Sequence, residues 1–310
     1  MPVDPELQPV LEALNGAPPL ADVPLELLRQ GSPIPMGPAP GMARVTNRKI
    51  PTPGGELRIR IYHPREQDRK GTGLLPVLVY FHGGGFVLGN IDTHDVVVRG
   101  LAKAAGCIAV SVDYRLAPEH RFPAAIADCR SALRWVHEQA TTLGADPALI
   151  AVGGDSAGGN LATVTALQLR DEGGPKLAAQ LLIYPVTRLN SPAAGSMLRN
   201  GEGYFLTMEA MAWFEQQYLG TLSDAERPQA SPLLARDLSR LPPAFVLTAE
   251  FDPLYDQGRA YARRLRDAGV PCKYTCYEGA IHGFFGMPVA IGQRAVAEAG
   301  EWLKLTVNPE

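Results

Sequence analysis

Several stretches of this chain are apolar almost without interruption, and helix-spaced stripes fill the intervals between them. The runs at 76–81, 108–112, 149–152, 177–184 and 244–249 are built from valine, leucine, isoleucine, alanine and aromatic residues. Strands read like this when both of their faces are covered, as in a parallel sheet flanked by helices. The segment 57–61 differs: Leu57, Ile59 and Ile61 alternate with Arg58 and Arg60, the period of a strand with one wet face. A last strand is expected at 272–277. Between the strands, Pro123 stands at an expected first helical position, followed by the stripe Ile126, Cys129, Leu133 and Val136. Leu161, Val164 and Leu167 form a second stripe, and a helix from Pro288 carries a third, Ile291, Ala295, Ala299 and Trp302. Strand and helix alternate from residue 76 onward, which predicts an α/β fold with a mostly parallel sheet.

Two segments break that rhythm. Near the amino end, Leu7, Val10, Leu11 and Leu14 form an amphipathic stripe closed by Asn15-Gly16, a short helix is expected at 25–29, and a proline-rich linker runs over 33–40. Residues 186–231 are too long for an ordinary connection. They hold a Gly/Ser-rich stretch followed by a helix at 207–219, the form of a lid or binding element. Its apolar residues are Tyr204, Phe205, Leu206, Met208, Met211, Trp213 and Phe214, of which one or two are expected in a pocket while the others pack on the amino-terminal helices. The expected organisation is a helical cap from 1–45 and 186–231 over a catalytic core from 46–185 and 232–310.

Composition narrows the function classes. With 310 residues, 46% hydrophobic and 20% charged, the chain can bury a large core, and a formal net charge of -3 gives no basic footprint for nucleic acid. No run approaches the length of a membrane span and no basic, apolar leader opens the sequence, so a cytoplasmic protein acting on small molecules is expected. The four cysteines have neither metal-ligand spacing nor a plausible bridge: Cys272 and Cys276, four apart in a strand, would lie roughly 13 Å apart. Free thiols, no metal and no cofactor are expected.

The chemistry centres on Gly154-Asp155-Ser156-Ala157-Gly158, a G-x-S-x-G that follows an apolar strand and opens a small-residue helical pattern. This strand, sharp turn and helix push a serine hydroxyl into the open. A nucleophilic serine needs a base, and His282 is the only histidine after Ser156; it lies in a loop just beyond the last strand. The other five histidines precede the serine. An acid to orient the base should end an intervening strand, where Glu250, Asp252 and Asp256 are candidates. Asp252 is favoured because it falls in the turn, although it could equally cap the helix after Pro253. Oxyanion donors are expected from His82-Gly83-Gly84-Gly85-Phe86, directly after the strand at 76–81, with the N–H of Ala157. Neither a G-x-x-x-x-G-K nor a G-x-G-x-x-G pattern supports a phosphate-binding reading of that loop.

Together with Asp113-Tyr114-Arg115-Leu116-Ala117-Pro118-Glu119-His120, Asp252-Pro253-Leu254-Tyr255-Asp256 and Ile281-His282-Gly283-Phe284, these motifs resemble the hormone-sensitive lipase-like carboxylesterases of the α/β-hydrolase superfamily. The resemblance spans nearly the whole chain. It implies an eight-stranded core, a two-part helical cap, hydrolysis of short- to medium-chain acyl esters through an acyl-enzyme, and a homodimer through the edge of the last strand. It assigns the triad to Ser156, His282 and Asp252 and the oxyanion hole to Gly84, Gly85 and Ala157. It also implies supporting roles for Asp155 and Glu119, the latter tying loops together. By position, Phe86, Tyr184, Leu206 and Phe285 are the expected substrate-pocket residues. The same triad would serve amide hydrolysis. Relatives that lose the catalytic histidine are ligand-binding modules, and here His282 is present.

Overall fold

The computed structural model describes residues 2–31, 34–65 and 73–307, so Pro33 of the proline-rich linker lies outside the described residues. Two helices open the chain, α1 (Gln8–Asn15) and α2 (Leu25–Leu28), followed by the hairpin β1 (Arg44–Thr52) and β2 (Gly55–His63). The alternating part comprises β3 (Leu75–Phe81), α3 (Asp95–Ala105), β4 (Ile108–Val112), α4 (Ala124–Leu143), β5 (Ala145–Asp155), α5 (Ala157–Asp171) and β6 (Ala179–Ile183). Next come α6 (Ser196–Asn200) and α7 (Met208–Tyr218) of the long insertion, then β7 (Ala244–Phe251), α8 (Tyr255–Asp267), β8 (Cys272–Ile281) and α9 (Ala290–Val307). The eight strands form one sheet in the order β1-β2-β4-β3-β5-β6-β7-β8, antiparallel at β1-β2 and β2-β4 and parallel elsewhere. The expected α/β fold is the one observed.

The apolar runs are explained by the two covered faces. Val77, Val79 and Phe81 of β3 join Ile150 and Val152 of β5 in one cluster with α4, α5 and α8, whereas Leu78 and Tyr80 point to the other side, against α3 and α9. Every residue of β3, β4 and β6 is buried. The stripe Ile126, Cys129, Leu133 and Val136 lies inward on α4, and Ile291, Ala295 and Ala299 lie inward on α9.

Three local expectations differ from what is found. Hydrophobic periodicity leaves β1 unmarked, because in RVTNRKIPT only Ile50 is buried: an edge strand is held by its nine paired positions with β2 and needs little apolar content. It also passed over α3, although Val97, Val98, Leu101, Ala102 and Ala105 are buried along one side of it. Pro123 occupies the cap position, one residue before α4 begins, so it flanks the helix instead of opening it. Cys107, Cys129, Cys272 and Cys276 are all free, the first two buried. Among the described residues no helix is long and apolar enough to cross a membrane, and no cluster of histidine, cysteine or acidic residues could hold a metal ion.

Candidate active site

Strand register brings the chemistry to one edge of the sheet. Phe81 pairs with Gly154, Asp155 with Ile183, and Phe251 with Ile281. The residues just past those pairs are the glycine loop, Ser156, Asp252 and His282, so the parallel strands deliver all four segments to the same level at their carboxyl ends. Open α/β sheets bind ligands there.

Ser156 sits between β5 and α5 with φ +54° and ψ -117°. A non-glycine residue in that region costs on the order of 1–3 kcal/mol, so the surroundings must hold it. The Ser156 N–H donates to Ile183 O at 2.9 Å, and its carbonyl accepts from Asn160 N at 3.1 Å and Val186 N at 3.1 Å. Close crossing of α5 over β3 secures the elbow: a Cβ at Gly158 would collide with the Phe81 carbonyl, which only glycine avoids. Asn160, fully buried, ties the helix to the insertion by donating to Val186 O and Ala230 O, each at 2.9 Å.

From Ser156 a polar chain runs inward. Ser156 Oγ lies 2.9 Å from His282 Nε2, and His282 Nδ1 lies 2.7 Å from Asp252 Oδ2. Asp252 is fully buried, and its second oxygen accepts the Leu254 N–H at 2.7 Å. One of its oxygens therefore meets the imidazole and the other closes the turn into α8. The competing acids are engaged elsewhere. Glu250 accepts the Gly279 N–H at 2.8 Å, and Asp256 accepts the Ser196 N–H at 2.7 Å.

The glycine loop lies across from the serine. Gly84 has φ +112°, a value that no side chain tolerates without strain, and its carbonyl accepts from Val87 N and Leu88 N to close the loop on itself. Among the described residues no hydrogen bond uses the N–H groups of Gly84, Gly85 or Ala157. Behind the loop, the Asp155 carboxylate accepts from Tyr80 Oη at 2.7 Å and Gly83 N at 3.0 Å, with His94 Nε2 at 3.4 Å. Burial alone would raise this carboxyl, but the His94 imidazole and the Tyr80 hydroxyl outweigh burial and hold it below the usual carboxylate range. Tyr114 Oη donates to His82 O at 2.7 Å, and its ring stacks on the His82 ring at 4.2 Å. Arg29 forks onto Glu119 at 2.7 and 2.9 Å while also reaching Val87 O and Ala117 O, so Glu119 does tie α2 to the loops around the site.

His82 carries a testable pH signature. It is fully buried, with Nδ1 2.8 Å from Gly83 O and no partner on Nε2. Burial, followed by the neighbouring His94, lowers its pKa from 6.5 to about 4. Unfolded chains take up this proton below about pH 6.5 while the folded protein refuses it until about pH 4, so the folded state loses stability as pH falls through that window. Thermal unfolding followed from pH 7 to 4 should show a falling midpoint, and the slope should flatten in His82→Phe. An equal slope in both proteins would remove His82 as its source. Asp155 and Asp95, both held low, contribute in the same direction only at lower pH, as each takes up its proton.

A cavity of about 160 Å³ opens onto Ser156 and His282. Phe86, Tyr184 and Leu206 line it, as expected. Tyr184 packs its ring 4.5 Å from that of His282, while Phe86 stacks on Tyr218 at 3.8 Å. Phe285 does not line it: this side chain is 2% exposed and packs in the core beneath with Phe284 and Met287, since the turn after His282 points it inward. From the insertion, Phe205, Leu206, Met211 and Phe214 all reach the cavity, more than the one or two expected. Three polar lining residues, Thr93, His94 and Glu215, carry no mark in the sequence that points to the cavity. His94 was one of five upstream histidines with nothing to single it out beyond its place before α3, and Glu215 gave no local signal at all.

The comparisons with known proteins agree with the fold. A family described as having an alpha/beta hydrolase fold matches residues 78–286. The chain is 44% identical to carboxylic ester hydrolase LipN of Mycobacterium tuberculosis over 249 residues, 78% of this chain and 65% of that protein. It is 42% identical to esterase LipI of the same organism over 287 residues, 92% of this chain and 88% of that protein. Among solved structures, a hyperthermophilic esterase from Pyrobaculum calidifontis superposes with a TM-score of 0.90 at 41% identity, covering 99% of this chain and 100% of that one.

Proposed function

The chain belongs to the α/β-hydrolase fold family, among the hormone-sensitive lipase-like carboxylesterases, and is a carboxylic ester hydrolase; from that premise we propose that it cleaves short- to medium-chain acyl esters through Ser156, His282 and Asp252. The observation that carries the reading is the continuous contact Ser156 Oγ–His282 Nε2–Nδ1–Asp252 Oδ2, at 2.9 and 2.7 Å. His282 accepts the serine proton as Oγ attacks the ester carbonyl, and Asp252 holds the Nδ1–H tautomer and balances the imidazolium. The carbonyl oxygen, as it becomes negative, takes the unengaged N–H groups of Gly84, Gly85 and Ala157. Each such donor is typically worth about 3 kcal/mol in the transition state. The imidazolium then returns its proton to the leaving alcohol, and water repeats the cycle on the acyl-enzyme.

We assign residues 1–45 and 186–231 to a cap over the core of 46–185 and 232–310. Lining of one cavity by Leu28 and Ile34, by Phe205 to Glu215, and by the glycine loop supports that division. Phe86, Tyr184 and Leu206 are the proposed acyl-contacting residues; Phe285 is not among them. A phosphonate that labels Ser156 at one per chain, together with a 4-nitrophenyl series from acetate to dodecanoate, tests the reading. Complete inactivation on labelling and a kcat/KM maximum between acetate and octanoate are expected. A maximum at decanoate or beyond would contradict the short-chain assignment, and full activity after labelling would contradict the nucleophile.

A further inference from the structure

The cavity walls are almost wholly apolar, and most of their polar residues belong to the machinery or its support: Ser156, His282, Asp155, His94, and Thr93 with its hydroxyl on His94 Nδ1. Glu215 is the exception. It projects from α7, one residue after Phe214, and lines the same cavity as Val186, Leu189 and Met211. Oε2 accepts the Asn190 N–H at 3.0 Å. Among the described residues Glu215 has no ion pair, and no lysine or arginine lines the cavity. A carboxylate facing apolar walls without a cation is costly, and burial accordingly raises the Glu215 carboxyl above the usual range. If its task were only to hold the Asn190 amide, a neutral acceptor would serve without that cost.

We propose that Glu215, which lines the same cavity as the Phe214 ring, selects ester substrates carrying an organic cation, an ammonium group on either the acyl or the alcohol side. Such a group supplies the missing counter-charge, its methyl or methylene surface suits the apolar walls, and an aromatic face adds to the attraction. The inference rests on the esterase reading above. It adds a substrate class that the triad does not specify.

Two isosteric pairs separate the possible positions of the cation. On the alcohol side, 2-(trimethylammonio)ethyl butanoate is compared with 3,3-dimethylbutyl butanoate. On the acyl side, 4-nitrophenyl 4-(trimethylammonio)butanoate is compared with 4-nitrophenyl 5,5-dimethylhexanoate. The readout is the cationic-to-neutral ratio of kcat/KM in wild type, Glu215→Gln and Glu215→Leu. Gln keeps an acceptor for Asn190, and the ratio cancels general damage to the fold. In at least one pair the ratio should fall by about 10-fold or more in both variants, mainly through KM. The same ratio read as Kd on Ser156→Ala protein requires no turnover. A preference in Kd on that variant, with none of the four esters hydrolysed by the wild type, would therefore sink the esterase reading and leave Glu215 standing. Ratios unchanged by both substitutions in both pairs would overturn the proposal.

Discussion

Ser156→Ala is expected to lower kcat for a 4-nitrophenyl ester by about 10⁵–10⁶-fold, on the scale that removal of a triad serine has in other hydrolases, and to leave a folded protein. The reasoning is geometric. Ser156 Oγ lies 2.9 Å from His282 Nε2 and lines the same cavity as Gly84 and Gly85, whose N–H groups are unengaged among the described residues. Alanine keeps the backbone bonds to Ile183, Asn160 and Val186 that hold the φ +54° turn, so the unfolding midpoint should move by only a few degrees. Turnover is thus separated from folding: activity within tenfold of wild type would eliminate Ser156 as the nucleophile, whatever the stability. Residual catalysis is expected, because the oxyanion donors and the cavity survive the substitution.

Asp252→Asn should cost about 10⁴-fold in kcat with little change in stability, the size of effect that an asparagine has at the equivalent place in a serine-protease triad. The two oxygens of Asp252 predict this split. Asparagine can still accept the Leu254 N–H through Oδ1, but its amide nitrogen replaces the oxygen 2.7 Å from His282 Nδ1. An amide donor there forces the imidazole into the tautomer that carries its proton on Nε2, which then cannot accept from Ser156. Asp252→Ala should lose activity and also roughly 1 kcal/mol of stability, since the cap of the turn goes with it. Chemical unfolding of the two variants beside their kinetics checks the separation. Equal losses of stability in both would mean that the Leu254 contact contributes nothing, and wild-type activity in Asp252→Asn would point to another orienting acid.

Much of this arrangement was readable in the chain because each part leaves a local trace. Two-sided burial makes a strand apolar throughout, and the G-x-S-x-G must lie between such a strand and a small-residue helix. One histidine follows the serine, so the base required no choice among candidates. The acid was less certain. Glu250, Asp252 and Asp256 lie within seven residues, and sequence alone ranks them only by their place in a turn. Elements whose stability comes from partners left weaker traces: β1 has one buried residue, and its existence depends on pairing with β2. Phe285 and Phe214 show the same limit. Both are aromatic residues close to catalytic segments or the lid, yet one fills the core and the other reaches the cavity.

The sequence by itself determined the α/β order, the serine elbow, the glycine loop and the one histidine that follows the serine, because backbone conformation and chain order constrain those residues directly. The tertiary structure decided which carboxylate meets His282, through the alignment of Phe251 with Ile281 in neighbouring strands. It also decided which residues of the 186–231 insertion line the cavity and where Glu215 stands without a counter-charge. These are matters of which surfaces meet across long separations in the chain, and residue spacing carries no record of them.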